Sequence, residues 1–133
     1  MTFENFKMPD QQLYDEVFRL LLELGVEVYD YLPGLDASYP FVVLGETQSL
    51  PEATMSFSMG ETTLSLHVWQ NDGDRRGLSE LMGKIRYSVS QIDKIDGRPF
   101  IFDKHSTSRV LIDTSTDETL LHGVMDLDFK FVQ

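Results

Sequence analysis

The side chains that most often carry catalysis or bind metals are scattered along this chain. The three histidines, at positions 67, 105 and 122, lie too far apart for the His-x3-His spacing typical of a zinc site. No Gly-x-Ser-x-Gly sequence places a serine nucleophile, and there is no cysteine to act as one. Each histidine is therefore predicted to be an ordinary surface or strand residue, and we expect no metal.

Two acidic segments have part of a functional pattern. Asp126 and Asp128 alternate along a predicted strand and so share one face, as the paired acids of a hydrolase do, but a solvated sheet face explains the same spacing. The segment Asp72–Gly77 lacks both the Lys–Ser/Thr pair of a phosphate-binding loop and the terminal glutamate of a calcium loop. It is better explained as a turn before a helix. The sequence thus predicts no enzyme, no catalytic residue and no cofactor.

Composition limits the remaining classes of protein. A chain of 133 residues with 41% hydrophobic and 25% charged residues is predicted to form one domain over residues 1–133. Neither a secretory signal nor an apolar run of membrane-spanning length occurs, so we expect synthesis and folding in a cytoplasm, without a membrane partner. A formal net charge of −11 argues against specific nucleic-acid binding, because lysine and arginine supply most of that affinity.

The charge is unevenly distributed along the chain. Residues 1–30 contain seven acids and two bases, whereas residues 75–109 contain eight bases and four acids. Glu23 and Glu27 belong to the acidic region, and Arg75 and Arg76 open the basic one. This asymmetry indicates complementary faces on copies or partners, with solvated charge on two helices as the alternative.

The elements that would position these residues are arranged around one stretch, Tyr39–Glu46, in which a proline and a glycine bracket four apolar residues. This pattern predicts a buried strand. Before it, an amphipathic helix is predicted with Asp10 as N-cap and Gly25 just past its end, followed by a short edge strand over Val26–Tyr31. After it, strict alternation predicts a strand over Thr62–Trp69 that pairs antiparallel with it.

The polar segment Thr47–Gly60 separates those two strands and is too long for a tight turn. It predicts an extended hairpin arm or a mobile loop. Met55, Phe57 and Met59 alternate near its end. Such residues commonly form the buried face of a strand, but in so polar a segment they also suit adaptable contacts with a partner.

A second amphipathic helix is predicted from about Arg75 to Asp93, capped by the preceding turn. Three strands follow, over Pro99–Asp103, Ser108–Thr114 and Leu120–Val132. Gly123 in the last strand predicts a bulge or a close backbone approach. The predicted fold is α+β, with one mainly antiparallel sheet, two helices on one face and a long arm.

The order of these landmarks resembles the tail-completion proteins of long-tailed bacteriophages, the tail terminators or tail-to-head joining proteins of the siphophage type. The resemblance runs from the first helix through Tyr39–Glu46 and Leu66–His67–Val68–Trp69 to Gly123–Phe129 and so covers nearly the whole chain. It implies a non-catalytic structural protein of the virion, assembled in the host cytoplasm. Its partners would be other copies in a hexameric ring, the tail tube protein and the head connector, with DNA passing through the lumen.

Combined with this resemblance, the charge pattern and the arm give candidate interface residues. We expect Met55, Phe57 and Met59 to contact a neighbour or the tube. We expect the acidic residues Glu23 and Glu27 to meet Arg75 and Arg76 across copies. Two alternatives remain open: a head-completion or neck protein of the same joint, and a small cytosolic regulatory or ligand-binding domain.

Overall fold

The computed structural model describes residues 6–34, 36–52 and 59–132. Its elements in chain order are α1 (Pro9–Glu23), β1 (Glu27–Tyr29), β2 (Phe41–Glu52), β3 (Met59–Asn71), α2 (Arg75–Ser90), β4 (Lys94–Ile95), β5 (Arg98–Phe102), β6 (Thr107–Asp113) and β7 (Leu120–Val132). Neither of these helices is long and apolar enough to cross a bilayer.

The strands form one curled sheet whose order is β1-β2-β3-β7-β5-β4. Strand β7 pairs along its whole length with β3. On its other side, its first half pairs with β6 and its second half with β5. Among the described strands only the β1–β2 pair is parallel. The predicted α+β class with a mainly antiparallel sheet is confirmed.

The core lies between the two helices and one face of the sheet. This helix-covered face carries alternate residues of each long strand, as period-2 patterning requires. The fully buried contributors include Leu13, Val17 and Leu21 of α1, Leu78, Ile85 and Val89 of α2, Leu64, Leu66 and Val68 of β3, and Leu127 of β7. Both predicted helical stripes are thus core faces.

The helix ends differ partly from prediction. The first helix begins at Pro9 with Met8 as N-cap, so the prediction that Asp10 caps it is wrong. Proline is favoured in the first turn because the helix does not use its missing N–H there. The Asp10 carboxylate instead accepts a hydrogen bond from the Thr47 hydroxyl at 3.0 Å. Gly25, with φ of 76°, ends the helix as predicted.

Two features of the sheet match one of the alternatives that the sequence left open. The register of β2 against β3 shifts between Leu44 and Thr47, whereas the β3–β7 pairing is regular through Gly123. Gly123 therefore marks close approach rather than a bulge, because a Cβ there would lie 2.6 Å from Sδ of Met82 in α2. The polar residues after Thr47 continue β2 to Glu52, so the described part of the arm is a hairpin.

Candidate interaction surfaces

The hairpin of β2 and β3 is the first candidate surface. Its described strands remain paired out to Glu52 and Met59, level with Val132 near the end of β7. Met59 is half-buried, and the ring of Phe131 packs directly against Gly60. Met55 and Phe57, the other two predicted contact residues, lie outside the described residues.

The sheet face opposite the helices, which we term the open face, is polar over the second half of β7. Asp126 accepts a hydrogen bond from the Ser65 hydroxyl at 2.7 Å. Burial raises the pKa of Asp128, and three neighbouring carboxylates raise it further. Those carboxylates belong to Asp103, Asp126 and Glu61. Asp126 and Asp128 do share a face, and the acids around them give that part of the open face a negative charge.

Two histidines meet on the open face nearer the other end of the sheet. Nδ1 of His67 lies 2.8 Å from Nε2 of His122, and the Trp69 ring stacks on His122 with centroids 4.0 Å apart. Burial lowers the pKa of His122, and the His67 charge lowers it further. A metal site needs more ligands, and no group of three or more candidate ligands occurs among the described residues. Motif spacing does not reveal this pair, because it depends on strand register.

Arg75 and Arg76 lie in the first turn of α2 and are exposed. The turn is fixed by Asp74, whose carboxylate accepts a hydrogen bond from the Gly77 N–H at 3.0 Å, as an N-cap does. Arg75 also lines a groove of about 430 Å³ between α2 and β6. The predicted basic residues therefore stand where another molecule can reach them.

Two other arginines of the basic region have structural roles. Arg86 donates hydrogen bonds to the carbonyls of Ser106 and Lys104. Arg98 donates to Gln12 of α1 and to the carbonyl of Val132. These guanidinium groups hold the ends of β5, β6 and β7, so the eight bases of this region overstate the charge available to a partner.

Glu23 and Glu27 are exposed and lie on the β1 side of the protein. Glu23 pairs with Arg19 one helical turn earlier, and Glu27 accepts a hydrogen bond from the Tyr29 hydroxyl at 3.2 Å. Neither forms an ion pair with Arg75 or Arg76 within the part of the chain that the structure describes. A contact between these acids and these arginines would thus require a second copy.

Comparison with known proteins gives consistent results. The family model described as "Tail completion protein gp17" matches residues 15–130. The tail completion protein gp17 of Bacillus phage SPP1 is 29% identical over 116 residues, which cover 86% of this chain and 83% of that protein.

Solved structures agree in fold. The structure of bacteriophage SPP1 gp17 has a TM-score of 0.57 at 24% identity, covering 97% of this chain and 95% of that one. A chain from the virion of a native gene transfer agent particle has a TM-score of 0.66 at 11% identity, covering 99% of this chain and all of that one.

Proposed function

Because the chain belongs to the family of phage tail completion proteins, structural components of the virion, we propose that it caps the tail tube as a ring. In this role it ends tail elongation and forms the tail side of the head–tail joint. The observation that carries the proposal is the extent of the family match, which runs from within α1 into β7. The proposed role belongs to this whole unit and needs no catalytic residue.

The distribution of charge supports a ring. A ring requires a heterologous interface, in which one patch of a copy meets a different patch of the next. Exposed Glu23 and Glu27 on the β1 side, and exposed Arg75 and Arg76 beside the α2–β6 groove, are two such patches of opposite sign. We propose that they face each other across copies.

The hairpin arm supplies the proposed contact with the tail tube or with a neighbouring copy. The sequence between its two strands contains Met55 and Phe57, and β3 begins at Met59. Flexible methionine side chains adapt to a partner surface, and phenylalanine adds apolar contact area. These three residues are the proposed contacts, and the head connector is the proposed partner on the opposite side of the ring.

The acidity of the protein suits a lumen through which DNA moves. At a net charge of −11 the chain repels phosphates, and an acidic wall offers no lysine or arginine contacts that would hold DNA. The acids of the open face, Glu61, Asp126 and Asp128, lie close enough to interact and are one source of that charge. DNA is therefore a passing cargo in this proposal, without specific recognition.

A capping assay tests the proposal. Tails assembled without this protein are incubated with it and examined by negative-stain electron microscopy for tube length and for density at the head-proximal end. We expect wild-type protein to add a terminal ring and to restore joining to filled heads. The double variant Arg75→Glu/Arg76→Glu should cap poorly, whereas Lys104→Glu, an exposed base outside that patch, should cap normally.

Three outcomes would contradict the proposal. If the protein binds DNA-filled heads and leaves purified tails unchanged, it is a neck protein of the head side. If it binds neither heads nor tails and remains a monomer or dimer with a small ligand, it is a regulatory or ligand-binding domain. If the Arg75→Glu/Arg76→Glu variant caps as well as wild type, those arginines are not part of the interface.

A further inference from the structure

We infer that β6 of one copy pairs with β1 of the next copy, so that the sheet continues from subunit to subunit. This inference rests on the proposed ring and names the surfaces that would close it. The partner it assigns to β6 is a second copy of this chain, bound through its backbone edge as well as its side chains.

Both strands have one unpaired edge among the described residues. Strand β6 pairs with β7 alone, and β1 pairs with β2 alone. All seven residues of β6 are half-buried or exposed, on both faces of the sheet, and Thr107–Asp113 contains neither proline nor glycine. An edge of this length with unsatisfied N–H and C=O groups is a ready template for another strand.

The two edges lie at the same level of the sheet. Pairing registers can be followed from β1 through β2, β3 and β7 to β6, and three rows cross all five strands. The rows are Glu27–Phe41–Trp69–His122–Leu111, Val28–Val42–Val68–Gly123–Val110 and Tyr29–Val43–His67–Val124–Arg109. A copy placed beside this one in the same orientation therefore brings its β1 level with β6.

Strand direction also suits this pairing. Strand β1 is parallel to β2, and three successive antiparallel pairings then lead to β6. Strands β1 and β6 therefore run in opposite directions within one copy. Two copies in the same orientation would form an antiparallel pair, the slightly more stable type of ladder.

The side chains of the two edges are complementary. Glu27 and Tyr29 share the open face with Arg109 and Leu111, as the rows show. With the rows aligned, Arg109 stands opposite Tyr29 of the next copy and diagonal to Glu27, and both neighbours are within reach of a long side chain.

Apolar side chains flank the same edges. Ile112 of β6 is 68% exposed. Tyr31 and Leu32, just after β1, are 66% and 68% exposed. Opposite charge together with exposed apolar side chains at both edges favours a second copy over a tube protein as the occupant. Because β1 has only three residues, these side chains would have to supplement a short ladder.

Cysteine cross-linking tests the pairing, because the chain has no cysteine of its own. The double variant Glu27→Cys/Leu111→Cys joins two positions of the same row and face. When bound to tails and oxidised, it should give a ladder of covalent oligomers of this chain. The matched control Glu27→Cys/Ile112→Cys places the second cysteine on the opposite face and should remain largely monomeric on a denaturing gel.

A charge exchange provides a second measurement. Arg109→Glu should raise the concentration needed for half-maximal capping by about tenfold, and adding Glu27→Arg should restore much of the loss. Arg109 is exposed, so thermal melting of the monomer should be unchanged. The inference is overturned if wild-type protein forms terminal rings but Glu27→Cys/Leu111→Cys gives no cross-links, or gives cross-links only to another protein. The proposed ring would survive that result. The absence of any wild-type ring would overturn the proposed function and this inference together.

Discussion

Replacing Gly123 with a larger residue should push α2 away from the backbone of β7. The loss in free energy of unfolding can be estimated from the contact between Gly123 and Met82. A Cβ at this position would lie 2.6 Å from Sδ and 3.1 Å from Cε of Met82, and 3.4 Å from Cδ1 of Leu78. Met82 is only 7% exposed but lines the groove between α2 and β6, so its flexible thioether can shift partly toward that groove. Overpacking of this kind costs about 1 to 3 kcal/mol; we expect Gly123→Ala near the lower value and Gly123→Val near the upper one.

Urea denaturation measures this cost, with fluorescence of the single tryptophan, Trp69, as the probe. The matched control is Gly83→Ala. Gly83 follows Met82 in α2, at a position where a Cβ meets no atom within 4 Å. That substitution should raise the free energy of unfolding by about 0.5 to 1 kcal/mol, because alanine suits a helix interior better than glycine does.

A double-mutant cycle shows whether the clash is responsible. Met82→Ala removes the sulfur that the new methyl group would meet, so Gly123→Ala should cost much less in that background than alone. If Gly123→Ala is harmless in the wild-type background, or costs the same with and without Met82, then α2 does not rest on the β7 backbone as described.

Three further predictions concern the helix ends and the histidine pair. Asp74→Ala removes the N-cap of α2 and should lower the free energy of unfolding by about 1 kcal/mol, measured by urea titration; an unchanged midpoint would exclude the cap. Gly25→Ala should cost about 1 kcal/mol at its positive φ, whereas Gly73→Ala, where φ is not positive and no atom is near, should be close to neutral in the same titration. Because the fold lowers the pKa of His122, the unfolded chain binds a proton there first, so stability should fall as pH drops below about 6.5; a His122→Gln variant with the same slope between pH 7 and 5 would refute this.

Most of the architecture could be predicted because long elements carry strong periodic patterns. The apolar spacing of α2 and the alternation of β3 and β7 place their buried residues correctly. The two-residue strand β4 has no pattern to detect, and the polar continuation of β2 to Glu52 has the composition of a loop. Its pairing partner in β3, rather than its own hydrophobicity, makes that segment a strand.

The candidate surfaces were less predictable because they depend on which residues meet. Counting charges located the basic region but could not distinguish Arg86 and Arg98, which bind carbonyls within the fold, from Arg75 and Arg76. That distinction depends on contacts made only in the folded protein. The pairing of His67 with His122 likewise follows from the register of two strands distant in sequence, and spacing rules for metal or catalytic motifs cannot detect it.

The proposed ring contacts and the proposed tube contact occupy opposite ends of the sheet. The rows that would join copies cross β3 at His67, Val68 and Trp69, whereas the described end of the arm meets β3 at Met59. Val68 lies nine positions along β3 from Met59, which at strand spacing is about 30 Å. Substitutions at one place should therefore leave the local structure of the other intact. The two contacts are independent if an edge variant fails to cross-link but still binds tubes, and if an arm variant cross-links but does not bind tubes. If each variant instead loses both cross-linking and tube binding, the tube itself assembles the ring.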